Sequence, residues 1–135
     1  MEPGLRKSWR FLFFGLMACS WMPHWSCHYY RLETGSSFVV ATWEFTRFDS
    51  VVSLLFYSAL IIVNLGAIER VQLRLFAALS SGFLHLAIGG LHVYRLINPF
   101  RFEVFGYPWS QQASFREAII VVPFGLLCLF MAKQK

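Results

Sequence analysis

Apolar positions fall in four blocks along the chain, each long enough or nearly so to cross about 30 Å of hydrocarbon at about 1.5 Å per helical residue. The first runs from about Trp9 to Ser26 and the second from about Ser50 to Ile68, whose stretch SVVSLLFYSALIIVNLGAI carries no charge and a single amide, Asn64. The third runs from about Val71 to Ile97 and stops at Asn98-Pro99. Proline disfavours a helical residue before it and removes a backbone donor. The fourth, from about Phe115 to Ala132, has Pro123 and Gly125 near its middle, which predicts a kink there. The expected fold is therefore all-α: one integral membrane domain over residues 1–135, a four-helix bundle with two outer loops.

The breaks between blocks set the connections. Glu69-Arg70 leaves so little chain that the second and third spans should form an antiparallel hairpin. Residues 27–49 and 98–114 are long enough to form two loops that emerge on one side. Within the first, SSFVVATWEF (Ser36 to Phe45) is apolar and β-branched but too short to span, and is expected to lie at the interface or fold back over the bundle. No internal repeat and no flexible linker stands out on this reading.

Composition supports the same class. With 57% hydrophobic and only 14% charged residues in 135, the charged share falls well below that of a soluble domain, and a chain this short could not bury so much apolar surface in water. The formal net charge of +5 would suit nucleic acid, but the basic residues sit at the ends of apolar blocks and form no stripe, which argues against nucleic acid. With the amino terminus in the cytoplasm, Arg6, Lys7, Arg10, Arg70, Arg74, Lys133 and Lys135 lie inside. Arg31, Arg47, Arg95, Arg101 and Arg116 lie outside. That bias favours two cytoplasmic termini, and Trp21, Trp25, Trp43, Trp109, Tyr29, Tyr30 and Tyr107 then gather at the outer interface.

The basic amino terminus before an apolar block also resembles a signal peptide, and Leu16-Met17-Ala18-Cys19 is similar to a lipobox. The residues after Cys19 continue as membrane-interface sequence and not as a polar tether, so an uncleaved signal anchor accounts for them better. Cys19, Cys27 and Cys128 form no motif and read as small hydrophobes.

Histidines carry the candidate chemistry. His85 and His92 share one face of the third span about 10.5 Å apart, in a stripe with Ala78, Gly82 and Gly89. Small residues there let another helix or a flat ring approach. His24 and His28 lie one turn apart at the outer end of the first span, at the depth expected for His92, with His85 deeper. Two imidazoles on facing helices can hold a haem, and one can hold a chlorophyll magnesium, so His24, His28, His85, Gly89 and His92 form a candidate cofactor-binding set. The competing reading gives the same histidines structural hydrogen bonds. Zinc is disfavoured because Glu33, Glu44 and Glu103 fall in loops. Asn64 and Ser80-Ser81 are candidate interhelical partners, and Arg95 and Arg101 could hold an anion or serve as anchors. No nucleophile–base pair, phosphate loop or metalloprotease helix is present, so no catalytic residue and no metal ligand is assigned.

Two functions are expected from these features. The first is a non-catalytic accessory or assembly subunit of a larger membrane complex, an energy-transducing one among the candidates, with lipid and membrane-protein partners. The second is a small transporter or tetrapyrrole-binding redox protein with its site in the outer half, among His24, His28, His92 and Glu44.

Overall fold

The computed structural model describes the backbone of residues 3–133 and the side chains of residues 8–133. Five helices and four short strands follow in the order α1 (Pro3–Ser20), α2 (Met22–Thr34), β1 (Val39–Val40), β2 (Trp43–Glu44), α3 (Arg47–Glu69), α4 (Val71–Ile97), β3 (Phe102–Val104), β4 (Tyr107–Pro108) and α5 (Gln111–Lys133). The fold is all-α apart from a small sheet. Three helices, α3, α4 and α5, are long and apolar enough to cross a membrane.

The expected first block is really a longer rod, since α1 and α2 run on through Trp21 to Thr34. Pro23 has no N–H and its ring crowds the preceding turn, so the helix tightens just before it. Trp21 N–H donates to Ala18 O at 3.3 Å, and Ser20 Oγ donates at 2.7 Å to the Met17 carbonyl this leaves free. The helix passes through Cys19, which is exposed. In α5, by contrast, Pro123 lies inside one continuous helix.

Local chemistry sets the other boundaries. Thr46 and Asp49 form a capping box at the start of α3, each side chain bonding the other's backbone N–H. At its far end, Arg74 donates to the Ala67 and Ile68 carbonyls at 3.1 and 3.2 Å, which supports the tight Arg70 turn into α4.

The two loops are not separate. β1–β2 and β3–β4 are two-residue hairpins that join through β1 and β3 into one antiparallel sheet, ordered β2-β1-β3-β4, which caps one end of the helices. Both hairpins turn through a left-handed residue, Ala41 at φ 56 and Phe105 at φ 58. Glu103 accepts from Arg101 Nε at 2.8 Å and from Ser37 Oγ at 3.3 Å, and the Arg101 bond holds its carboxyl below the usual carboxylate range.

These hairpins expose an internal repeat. Ala41 and Phe105 are 64 positions apart (105 − 41), and the same offset relates Val39↔Glu44 to Glu103↔Pro108 and Val40↔Trp43 to Val104↔Tyr107. Val39 pairs with its own counterpart, Glu103, which puts a two-fold axis between β1 and β3. Applied to the whole chain without a gap, the offset carries the rod α1–α2 onto α4 and α3 onto α5. It matches buried Phe13, Phe14, Met17, Ala18, Trp21, His28, Arg31, Ser50 and Asn64 with buried Ala77, Ala78, Ser81, Gly82, His85, His92, Arg95, Ser114 and Cys128. HYYRL (His28 to Leu32) then recurs as HVYRL (His92 to Leu96). The expectation of no repeat is corrected. Most counterparts share apolarity and burial but not identity, which hides the duplication from a reading by eye.

The repeated arginines fasten the cap. Arg31 donates through Nη1 to Thr46 O and Ser50 Oγ, both at 2.9 Å, and through Nη2 to Phe45 O. Arg95 makes the corresponding bonds through Nη1 to Ser110 O and Ser114 Oγ, at 3.1 and 2.6 Å, and through Nη2 to Trp109 O. Each arginine sits in the last turn of its own helix, where the helix dipole favours a cation, and clamps the strand exit and the first turn of the next helix. Arg95 is therefore a latch, and Arg101 is paired with Glu103; neither is a free anion holder.

Candidate functional site

The middle of the bundle is filled. Trp21, Met17, Asn64, Ser81 and Cys128 are all fully buried. Ser81 Oγ accepts from Trp21 Nε1 at 3.2 Å and from Asn64 Nδ2 at 3.0 Å, so one hydroxyl ties the first rod, α3 and α4 together. Asn64 and Ser81 are thus interhelical partners, whereas Ser80 bonds Ala77 O within its own helix at 3.2 Å.

The four histidines lie between this plug and the sheet. His85 is buried against Trp21, its own repeat counterpart, with ring centroids 4.1 Å apart, and against Phe124 of α5 at 5.0 Å. Its Nδ1 meets Ser81 O at 2.7 Å. That carbonyl can only accept, so Nδ1 carries the proton and Nε2 keeps the lone pair. The bond is intrahelical, not the interhelical one expected for a structural histidine.

His24, half-buried on α2, stands beside Tyr57 at 5.4 Å and Trp21 at 5.7 Å. Tyr57 also lies against His28 and Trp21 against His85, so shared rings link His24 to those two histidines. His28 and His92 are counterparts and have matching neighbours: His28 is 5.4 Å from Phe38, and His92 is 5.5 Å from Phe102. His28 Nδ1 also reaches Ser50 Oγ at 3.4 Å. His92 Nδ1 is buried and has no hydrogen-bond partner among the described residues, whereas His24 lies against the backbone of Ser20, one turn back. Glu44 does not join them: it is exposed on the edge strand β2.

The glycine stripe faces the other way from the expected one. A Cβ on Gly89 would meet Val122 Cγ2 at 2.5 Å, and one on Gly82 would meet Leu129 Cδ2 at 2.7 Å, so both glycines seat α5 and open no slot toward the first rod. Near the axis, Phe38 and Phe102 stand 6.0 Å apart beneath the sheet. The small residues expected to admit a flat ring beside His92 are instead covered by α5. Among the described residues, no group of three His, Cys, Asp or Glu side chains is placed to hold a metal ion.

The duplication was the main signal that sequence reasoning missed, and the repeated H-x-Y-R-L could have revealed it. It also identifies Arg31, Ser50 and Tyr57 as residues of interest. No family model, no curated protein and no solved structure matches the chain.

Proposed function

We propose that the chain crosses the bilayer four times, with both termini cytoplasmic, and serves as an accessory or assembly subunit of a larger membrane complex. The repeat supports a fourth span, because the α1–α2 rod is the counterpart of α4, which is long and apolar enough to cross. Arg10 and Arg74 are counterparts as well, so each half brings an arginine to the end away from the sheet, in keeping with a cytoplasmic bias. Reporters fused after Arg70 and after Lys135 should both report cytoplasm, and one after Gly35 the opposite side. A periplasmic or lumenal signal at Lys135 would remove a span and refute this topology.

The observation that carries the accessory role is the aromatic face of the latched cap. Trp43 and Tyr107, counterparts on the two edge strands, are 61% and 75% exposed on a sheet pinned at both ends by buried arginines. Rigid aromatic side chains on a fixed platform are what protein interfaces use as anchors. The plugged centre favours this role over a conduit. Purified from its native membrane in mild detergent, the tagged protein should run in a larger complex of fixed stoichiometry. Trp43→Ala with Tyr107→Ala should release it while leaving its own melting unchanged. Migration of the wild type as a lone chain, or retention of the doubly substituted chain in the complex, would refute the role.

A further inference from the structure

Charge is shared unequally between the two ends of the bundle. At the sheet end the five arginines Arg31, Arg47, Arg95, Arg101 and Arg116 are matched by five carboxylates, Glu33, Glu44, Asp49, Glu103 and Glu117. Three of those arginines are also tied down there, two by the latches and Arg101 by Glu103. At the opposite end Arg10, Arg70, Arg74 and Lys133 meet Glu69 alone among the described residues, and Glu69 forms no ion pair with any of them. An excess of cations at the rim of a bundle draws anions toward it.

Two of these cations face each other. Arg10, Met17 and Trp21 fall on one face of the first rod, and Arg74, Ser81 and His85 on one face of α4, because seven and eleven residues make about two and three helical turns. Those faces meet: Trp21 Nε1 donates to Ser81 Oγ at 3.2 Å, and the Trp21 ring lies 4.1 Å from that of His85. Arg10 and Arg74, counterparts in the repeat, therefore come together about three turns further in, beyond the core residues Phe13, Phe14 and Ala77. Arg74 is half-buried and held through Nε and Nη2 by the Ala67 and Ile68 carbonyls, which leaves Nη1 without a partner among the described residues. Arg10 is exposed and makes no hydrogen bond or ion pair among them. Glu69 offsets only part of the positive field at Arg74, to which Arg10 adds.

We propose that Arg10 and Arg74 together hold the phosphate of an anionic phospholipid in the leaflet at this end. A guanidinium presents a planar fork of donors that matches phosphate oxygens, and two forks on separate helices can divide one phosphate between them. The surroundings select a lipid over a soluble phosphate. Phe11 and Leu12 follow Arg10, and their counterparts Leu75 and Phe76 follow Arg74; these four are 65%, 50%, 57% and 60% exposed, an apolar surface for the acyl chains below the headgroup. A zwitterionic lipid carries its own ammonium beside the phosphate and gains less from an unmatched positive field. The inference rests on the bilayer crossing proposed above, but neither on its orientation nor on the accessory role.

Full-length protein in a non-ionic detergent is melted against rising dioctanoyl phosphatidylglycerol, with dioctanoyl phosphatidylcholine and inorganic phosphate in parallel series. The wild type should gain a saturable rise in melting temperature from phosphatidylglycerol, far less from phosphatidylcholine and none from phosphate. Arg10→Gln should melt like the wild type without lipid, because Arg10 bonds nothing among the described residues, and should need at least tenfold more phosphatidylglycerol. Arg116→Gln removes the same charge from an exposed position at the sheet end and should leave the response intact. The proposal is overturned if the wild type shows no saturable response, if Arg10→Gln responds as it does, if Arg116→Gln loses the response equally, or if phosphatidylcholine or phosphate protects as well. Should Arg10→Gln fail to fold, Arg74→Lys decides in its place: it keeps the charge but not the fork, and a wild-type response from it would overturn the proposal. The reporter fusions read the crossing separately, so failure of the topology and failure of the lipid site are seen apart.

Discussion

Methionine in place of Arg31 or Arg95 is expected to destabilise the protein by about 3 kcal/mol, more than any other single side-chain truncation in the cap. Methionine keeps the length and apolar stem but removes the donors: the Phe45 or Trp109 carbonyl loses its arginine partner outright, while the Thr46 or Ser110 carbonyl keeps only the N–H of Ser50 or Ser114. Buried acceptors left unmet cost more than the net value of the bonds that met them. Lysine should rescue only part of the loss, because one ammonium cannot reproduce a planar fork that spans two carbonyls and a hydroxyl. The two sites should differ in degree. Arg95 also donates through Nε to Phe100 O at 3.1 Å, whereas Arg31 Nε has no partner among the described residues, so Arg95→Met should be the more severe. Thermal melts in detergent measure this. Equal stability of the methionine variants and the wild type would mean that the cap is held by the sheet alone.

The helices were legible in the sequence because their signals are long and redundant. The third span was expected at 71–97 and lies at Val71–Ile97, bounded by the Arg70 turn and Asn98-Pro99. The sheet was not legible, since strands of two or three residues carry too little alternation to register. Its formation depends on two loops 64 positions apart meeting at the Val39–Glu103 pair, a contact that no local pattern encodes. The latching by Arg31 and Arg95 was not legible either, because most of their acceptors are backbone carbonyls, which have no sequence signature. The same limit applied to the histidines. That His85 and His92 share a helix face follows from their spacing, but the direction of the Gly82–Gly89 face does not, because small residues invite any neighbour and it was α5 that came.

That close approach supports the second large effect. Gly89→Leu and Gly125→Leu should each cost about 2–3 kcal/mol through overpacking, enough to separate α4 from α5. At Gly89 even a methyl would stand 2.5 Å from Val122 Cγ2 and 3.3 Å from Val122 N; at Gly125 it would meet the Gly82 carbonyl at 3.0 Å and His85 Cβ at 3.1 Å. A backbone atom cannot turn aside, and valine has little rotamer freedom on a helix. Gly82 differs in degree: it would meet no backbone atom, only Leu129 Cδ2 at 2.7 Å and Cγ at 2.9 Å, a side chain that can turn, with Cys128 Cβ farther off at 3.2 Å. Alanine variants should therefore rank in stability with Gly82→Ala above Gly89→Ala and Gly125→Ala. Gly90→Leu is the control, with nothing within 4 Å of its Cβ position and a better helix former in place of glycine, so it should be neutral or slightly stabilising. Denaturation in mixed micelles gives the order. If Gly90→Leu proved as damaging as Gly89→Leu, the α4–α5 contact would not be the tight seam of the fold.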